Sequence, residues 1–412
     1  MNTFILVACT ILALGTGCVA HRGHWSSSPA TVSEHATVSL VALGGLFGGR
    51  HMRRTAAELA GLLQREKATG RTVVLLWLGD LGRAHRRGGR CRPPDQIWGR
   101  SSMGQMAAVA RQHTSSGGAS YAVHGRDDWR CSGTSGTGEP EDEASRGLWH
   151  HPAANFVVRI ESGERAAVVS ACSTWGPCVI EPSRTSAGTE LVFLDVTPWS
   201  YPEAVSAHKD AAAASLHEQA QLLLALDRAA PATRILVSSA AVESGGTHGS
   251  GGIRASVGYR RLPLPLRRAI ARGMFVGAIG GHDPALQVAA DASDAIRRAS
   301  RIWIHAPLFQ VVSAAASRPE SNGIRMLDRL PRRRGVTLAP DLATTAAGFA
   351  RITLSPTTVD LVLHRRGAWS WQQAAVRVPI PRPVHPTEGP APAMAPCLRC
   401  EPRPSPNSTE AE

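Results

Sequence analysis

Two apolar runs, the first interrupted only by Ser39, joined through one amphipathic helix constrain the fold of this chain more than any other feature. Residues 38–43 and 73–78 are each bounded by turn-forming or polar residues, and the intervening stretch 55–67 carries Leu59, Leu62 and Leu63 on one helical face. Runs that are apolar on both faces belong to buried strands, and two of them linked by a helix make a parallel βαβ unit. The second run ends at Gly79-Asp80. Further strands are expected at 156–160, 167–170, 191–196, 235–238 and 274–279, with a helix over about 211–228. Residues 302–305, 309–314, 350–354 and 359–364 then read as a run of antiparallel strands. Alternation of this kind defines an α/β sheet protein.

With 412 residues, 43% of them hydrophobic, the chain has enough apolar surface for a sizeable core. The formal charge of +13 is almost all arginine, since Lys67 and Lys209 are the only lysines. Basic runs at 86–92, 297–301 and 332–334 have no aromatic residues interleaved, so they read as solvated surface and not as a nucleic-acid face.

The N-terminus, MNTFILVACTILALGTGC, is apolar over the length of an export signal and too short for a comfortable membrane span. Its end, Leu14-Gly15-Thr16-Gly17-Cys18, resembles the bacterial lipobox, in which the cysteine is acylated and becomes the new N-terminus. The expected order is a signal over 1–18, a polar tether over 19–37, a folded domain over 38–378 and a Pro-rich disordered tail over 379–412. An acidic insertion is expected over 134–146. The chain is therefore expected at the cell envelope, held to a membrane by lipid on Cys18, with a secreted or periplasmic form as the alternative. An exported chain favours disulfides, and Cys172 and Cys178, which bracket a Gly-Pro turn, are the easiest local pair.

Five short blocks stand at expected strand ends. They are Leu43-Gly44-Gly45-Leu46, Leu78-Gly79-Asp80-Leu81, Gly125-Arg126-Asp127-Asp128-Trp129, Ser238-Ser239-Ala240-Ala241 running on to His248-Gly249, and Gly281-His282-Asp283-Pro284 followed by Leu286-Gln287-Val288. Their order resembles that of the calcineurin-like metallophosphoesterases, and the resemblance covers roughly 38–378. In that family such blocks hold two divalent ions through shared carboxylates and completing imidazoles. The resemblance implies a four-layer α/β/β/α sandwich and phosphoester hydrolysis as the ancestral reaction.

Most of the ligands are replaced. The first block has no carboxylate, the metal-binding Asn of the third becomes Arg126, and its catalytic His becomes Asp127. The fourth block lacks both histidines, with Ser239 and Ala240 nearby and His248 further on, and the second His of the fifth is Pro284. Asp80 and His282 alone keep family ligand types. The vestigial site is therefore expected to comprise Asp80, Arg126, Asp127, Asp128, Ser239, His248 and His282. Arg126, which cannot lose its proton, is expected where a cation would lie. This points to a pseudoenzyme with a binding or scaffold role and no cofactor. The alternatives are a hydrolase with a single divalent ion (Mn, Mg, Fe or Zn) on Asp80, Asp127 and His282 with His124 or His248, and a lipoprotein that binds anionic envelope surfaces.

Overall fold

In the computed structural model the described residues are 21–46, 50–81, 102–132, 148–161, 166–172, 175–182, 188–230, 232–242, 244, 248, 261–290, 308–314, 316 and 342–380. The export signal with Cys18, the acidic insertion, the strand expected at 302–305, the three basic runs and the tail from 381 lie outside them.

The strands are β1 His21–Arg22, β2 Val38–Leu43, β3 Thr72–Leu78, β4 Ala119–Val123, β5 Asn155–Ile160, β6 Ala167–Val168, β7 Ser170–Cys172, β8 Cys178–Ile180 and β9 Thr189–Leu194. They continue as β10 Thr233–Ser238, β11 Gly277–Gly280, β12 Leu286–Ala290, β13 Phe309–Ser313, β14 Leu342–Thr344, β15 Gly348–Leu354, β16 Thr358–Arg366 and β17 Trp371–Pro379. The helices are α1 Arg50–Ala68, α2 Ser102–Ser115, α3 Arg126–Ser132, α4 Thr197–Ser200, α5 Lys209–Arg228 and α6 Leu264–Ala271.

One sheet runs β17-β16-β15-β2-β3-β4, and the other runs β1-β14-β12-β13-β11-β10-β9-β5-β6. Alternate residues of each strand face opposite sides, so a buried strand feeds two cores. Leu40, Leu76, Phe193, Ile235, Ile279 and Ile352 fill the space between the sheets. Val41, Leu75 and Trp77, on the other face of the first sheet, pack under Leu59 and Leu62 of α1 and Met106 of α2. Val192 and Leu236 of the second sheet pack under Leu222 and Leu226 of α5 and Leu266 and Ile270 of α6. The result is the expected four-layer α/β sandwich.

α1 ends because Gly70, with φ of 74°, turns the chain while its N–H donates to the Lys67 carbonyl. β2, β3 and β4 are mutually parallel, as are β9, β10, β11 and β13. Their C-terminal ends share one edge of the sandwich. The expected antiparallel run is corrected: β13 belongs to the second sheet, where it pairs antiparallel with β12 but parallel with β11, whereas β15 and β16 pair antiparallel in the first sheet. The strand expected at 274–279 begins only at Gly277, because the Met274 N–H is taken by the Ala269 carbonyl at the end of α6.

Residues 21–37, expected to belong to a tether, are instead laid against the sheets. β1 pairs with β14, Ser26 exchanges backbone hydrogen bonds with Gln373 of β17, and the Ser33 N–H donates to the Asp360 carboxylate. Cys172 and Cys178 face each other across the β7–β8 ladder and form a disulfide, with Cα atoms 4.1 Å apart.

Candidate functional site

Asp80 follows β3, Arg126 to Asp128 follow β4, Ser239 follows β10 and His282 follows β11, so the shared edge gathers them. The approach is close enough to demand glycine. A Cβ on Gly79 would lie 2.8 Å from Gly125 Cα, and one on Gly125 would overlap the Asp80 backbone nitrogen. Among the described residues Asp80 and His282 are the only non-glycine positions with positive φ, at 50° and 66°. Side chains adopt that conformation at a cost, and only where the surroundings hold them there.

The carboxylate of Asp80 is buried. Its Oδ1 accepts the Asp127 N–H at 3.0 Å, and its Oδ2 lies 3.3 Å from His282 Nδ1. Arg126 Nε is 3.2 Å from Asp127 Oδ1, and its guanidinium carbon is 5.7 Å from the Tyr201 ring centroid. Burial pushes the Asp80 carboxyl upward, but the bond and charge of His282, the Asp127 N–H and the Arg126 charge outweigh it and hold the group below its ordinary value. Arg126 behaves in parallel: burial opposes its charge, yet Asp127 and Asp80 raise its affinity for the proton.

Asp128 does a different job. Its oxygens accept N–H groups from Leu81 (2.9 and 3.2 Å) and Gly125 (2.8 Å), tying the two loops together. Trp129, fully buried in α3, donates from Nε1 to Asp195 Oδ2 at 2.6 Å. Burial pushes Asp195 up to about 6, against the Thr197 N–H and the Trp129 indole. Ser239 Oγ lies 3.3 Å from Thr197 Oγ1 and so faces α4. His248 comes within 5.0 Å of His282, ring to ring, and Tyr201 within 4.5 Å. His124, a possible ion ligand by its place in the sequence, stacks on His151 at 4.0 Å.

Two participants carried no clear signal in the sequence. Tyr201 touches both His282 and Arg126, but nothing in Pro198-Trp199-Ser200-Tyr201 sets it apart from core. Asp283 binds Ser244 Oγ and the His248 N–H, fixing the segment that carries His248. Burial keeps its carboxyl above its ordinary value despite those bonds and the nearby histidines.

Among the described residues the side chains do not suit a metal centre. Asp80 and His282 are turned on each other, Arg126 stands beside them, and the place of a first-block carboxylate is filled by backbone. A Cβ on Gly44 would lie 2.7 Å from the Ser313 carbonyl oxygen, and one on Gly45 would overlap that of Ala314. Among the described residues no group of three or more His, Cys, Asp or Glu side chains is placed to hold an ion.

No protein-family model matches the chain, and no curated protein matches it in sequence. In fold it is similar to purple acid phosphatase PPD1 from seeds of yellow lupin (Lupinus luteus), at 10% identity and a TM-score of 0.48, over 83% of this chain and 53% of that one. It is also similar to PhoD, at 10% identity and a TM-score of 0.46, over 85% of this chain and 70% of that one. The chain thus spans about half the length of the lupin phosphatase.

Proposed function

We propose that this chain is a pseudoenzyme of the metallophosphoesterase fold, exported and lipid-anchored at Cys18, which works by binding and not by hydrolysis. One observation carries the reading. Where the family's block order would put two cations, Asp80 accepts the Asp127 N–H, faces His282, and has the Arg126 guanidinium as its neighbouring positive charge. A fixed internal cation neutralises the remaining carboxylates and offers no open coordination position for a phosphate or an attacking hydroxide.

Elemental analysis of the purified, tag-free chain tests this together with phosphomonoester and phosphodiester turnover in added Mn²⁺, Mg²⁺, Fe²⁺ or Zn²⁺. The expected result is metal well below one ion per chain and no turnover above background. A stoichiometric ion, with turnover abolished by Asp80→Asn, would overturn the reading in favour of a single-ion hydrolase. Export is tested separately: mass spectrometry of the mature N-terminal peptide is expected to show an acylated Cys18.

A further inference from the structure

The chain enters the fold at the same edge that carries the vestigial site. β1 runs antiparallel to β14 with His21 opposite Thr344, and β14 ends at the edge where β10 and β11 end. His21, where the described residues begin, therefore stands on that side. Cys18 is three residues away, a reach of about 10 Å even when extended. The 19-residue spacer expected from the sequence shrinks to almost nothing, because residues from 21 onward are pinned to β14 and β17.

The turn between β16 and β17 lies at this edge too. β15 starts there, since it is antiparallel to β2, and β16 returns to it. The turn is closed by the Gly367 N–H donating to the Ser370 carbonyl at 2.9 Å. At its tip Trp369 is 94% exposed, the most exposed large apolar side chain among the described residues. Its neighbours are fixed. Trp371 lies 6.0 Å from the Phe349 ring, Arg365 sits over Trp25 at 4.0 Å, and the Arg366 N–H donates to the Ala347 carbonyl. The turn thus presents a tryptophan that contributes nothing to the core, on the edge where β1 begins at His21. Tryptophan favours the boundary between headgroups and acyl chains.

We propose that the site-bearing edge faces the membrane that anchors the chain, with Trp369 seated in its headgroup layer. The inference rests on the anchored reading for the position of Cys18, and on the strand directions for the rest. Four strand spacings, about 19 Å, separate β3 from β17. Asp80, Arg126 and Tyr201 would then look toward the bilayer surface and not toward bulk solvent, so a ligand of this edge would have to be reached at or from the membrane.

The test uses the full chain in vesicles of phosphatidylcholine and phosphatidylglycerol with brominated acyl chains, comparing wild type with Trp369→Phe. An exposed side chain can be exchanged without disturbing the fold. Quenching of wild-type tryptophan emission by the brominated lipid is expected, with loss of that component in W369F and shielding of it from aqueous acrylamide. Equal quenching in the two proteins, or a Trp369 component that stays open to acrylamide, overturns the proposal. The mass of the N-terminal peptide separates the two claims. An acylated chain whose Trp369 stays in water refutes the orientation and leaves the anchored pseudoenzyme standing. An unacylated chain whose Trp369 is still quenched removes the anchor and supports the membrane-facing turn.

Discussion

If Arg126 does the work of an ion, replacing it with the family's asparagine should make the protein depend on one. The Arg126 side chain is 27% exposed, pairs with Asp127 at 3.2 Å and lies against the Tyr201 ring. A partly exposed ion pair and a cation–π contact are each worth up to about 1 kcal/mol. Leaving Asp80 and Asp127 with one cation fewer raises the expected loss in Arg126→Asn to about 2 kcal/mol. Urea denaturation in the presence of a chelator measures it. Mn²⁺ added at ten times its dissociation constant should then return about 1.4 kcal/mol to the variant, while leaving the wild type where it was. A variant as stable as wild type, or equal stabilisation of both by Mn²⁺, would refute the idea that the guanidinium replaces a metal.

Glu218, pushed up to about 7 mainly by burial despite the Asn155 N–H, should make stability depend on pH. Its folded-state pKa is above its ordinary value, so the folded chain holds the proton longer, and the stability this gives below about pH 4 is lost as pH rises through 7. Glu218→Gln keeps the acceptor for Asn155 and should be more stable than wild type by about 2 kcal/mol at pH 8, after allowing for partial exposure, with the difference gone at pH 4. Gly125→Ala should cost about 3 kcal/mol or more in thermal unfolding, because the new Cβ meets Asp80 backbone. By contrast, Gly61→Ala within α1, where only the flexible end of Arg65 is near, should gain about 0.5–1 kcal/mol. Peptide mapping without reductant should recover Cys172 and Cys178 joined, and their double replacement by serine should cost roughly 2 kcal/mol for so short a loop.

Much of the sandwich was legible in the sequence because its strands are buried on both faces. A run such as Val73-Val74-Leu75-Leu76-Trp77-Leu78 has no other economical place than between two layers. The elements that local composition does not announce are mixed in character. β4 contains Ser120, whose hydroxyl reaches the Leu148 carbonyl, and β17 alternates polar residues with Ala and Val because one of its faces is open. α2 and α6 carry short apolar stripes that only the sheet beneath them makes meaningful.

The site divides in the same way. The sequence determined which chemical groups exist at the strand ends: one acid after β3, an arginine and two acids after β4, and one histidine after β11. It could not decide how they pair, because the partners lie 47 and 202 residues apart and only the packing of two sheets brings them together. The tertiary structure assigned Asp128 to tying loops, turned His282 onto Asp80, and filled the first-block position with the backbone of Ser313 and Ala314. It also laid residues 21–37, expected as a tether, against the sheets, with His21 opposite Thr344 at the site's own edge. Local composition sets which strands can be buried, whereas strand direction and the close approach of loops are global properties of the packed sheets.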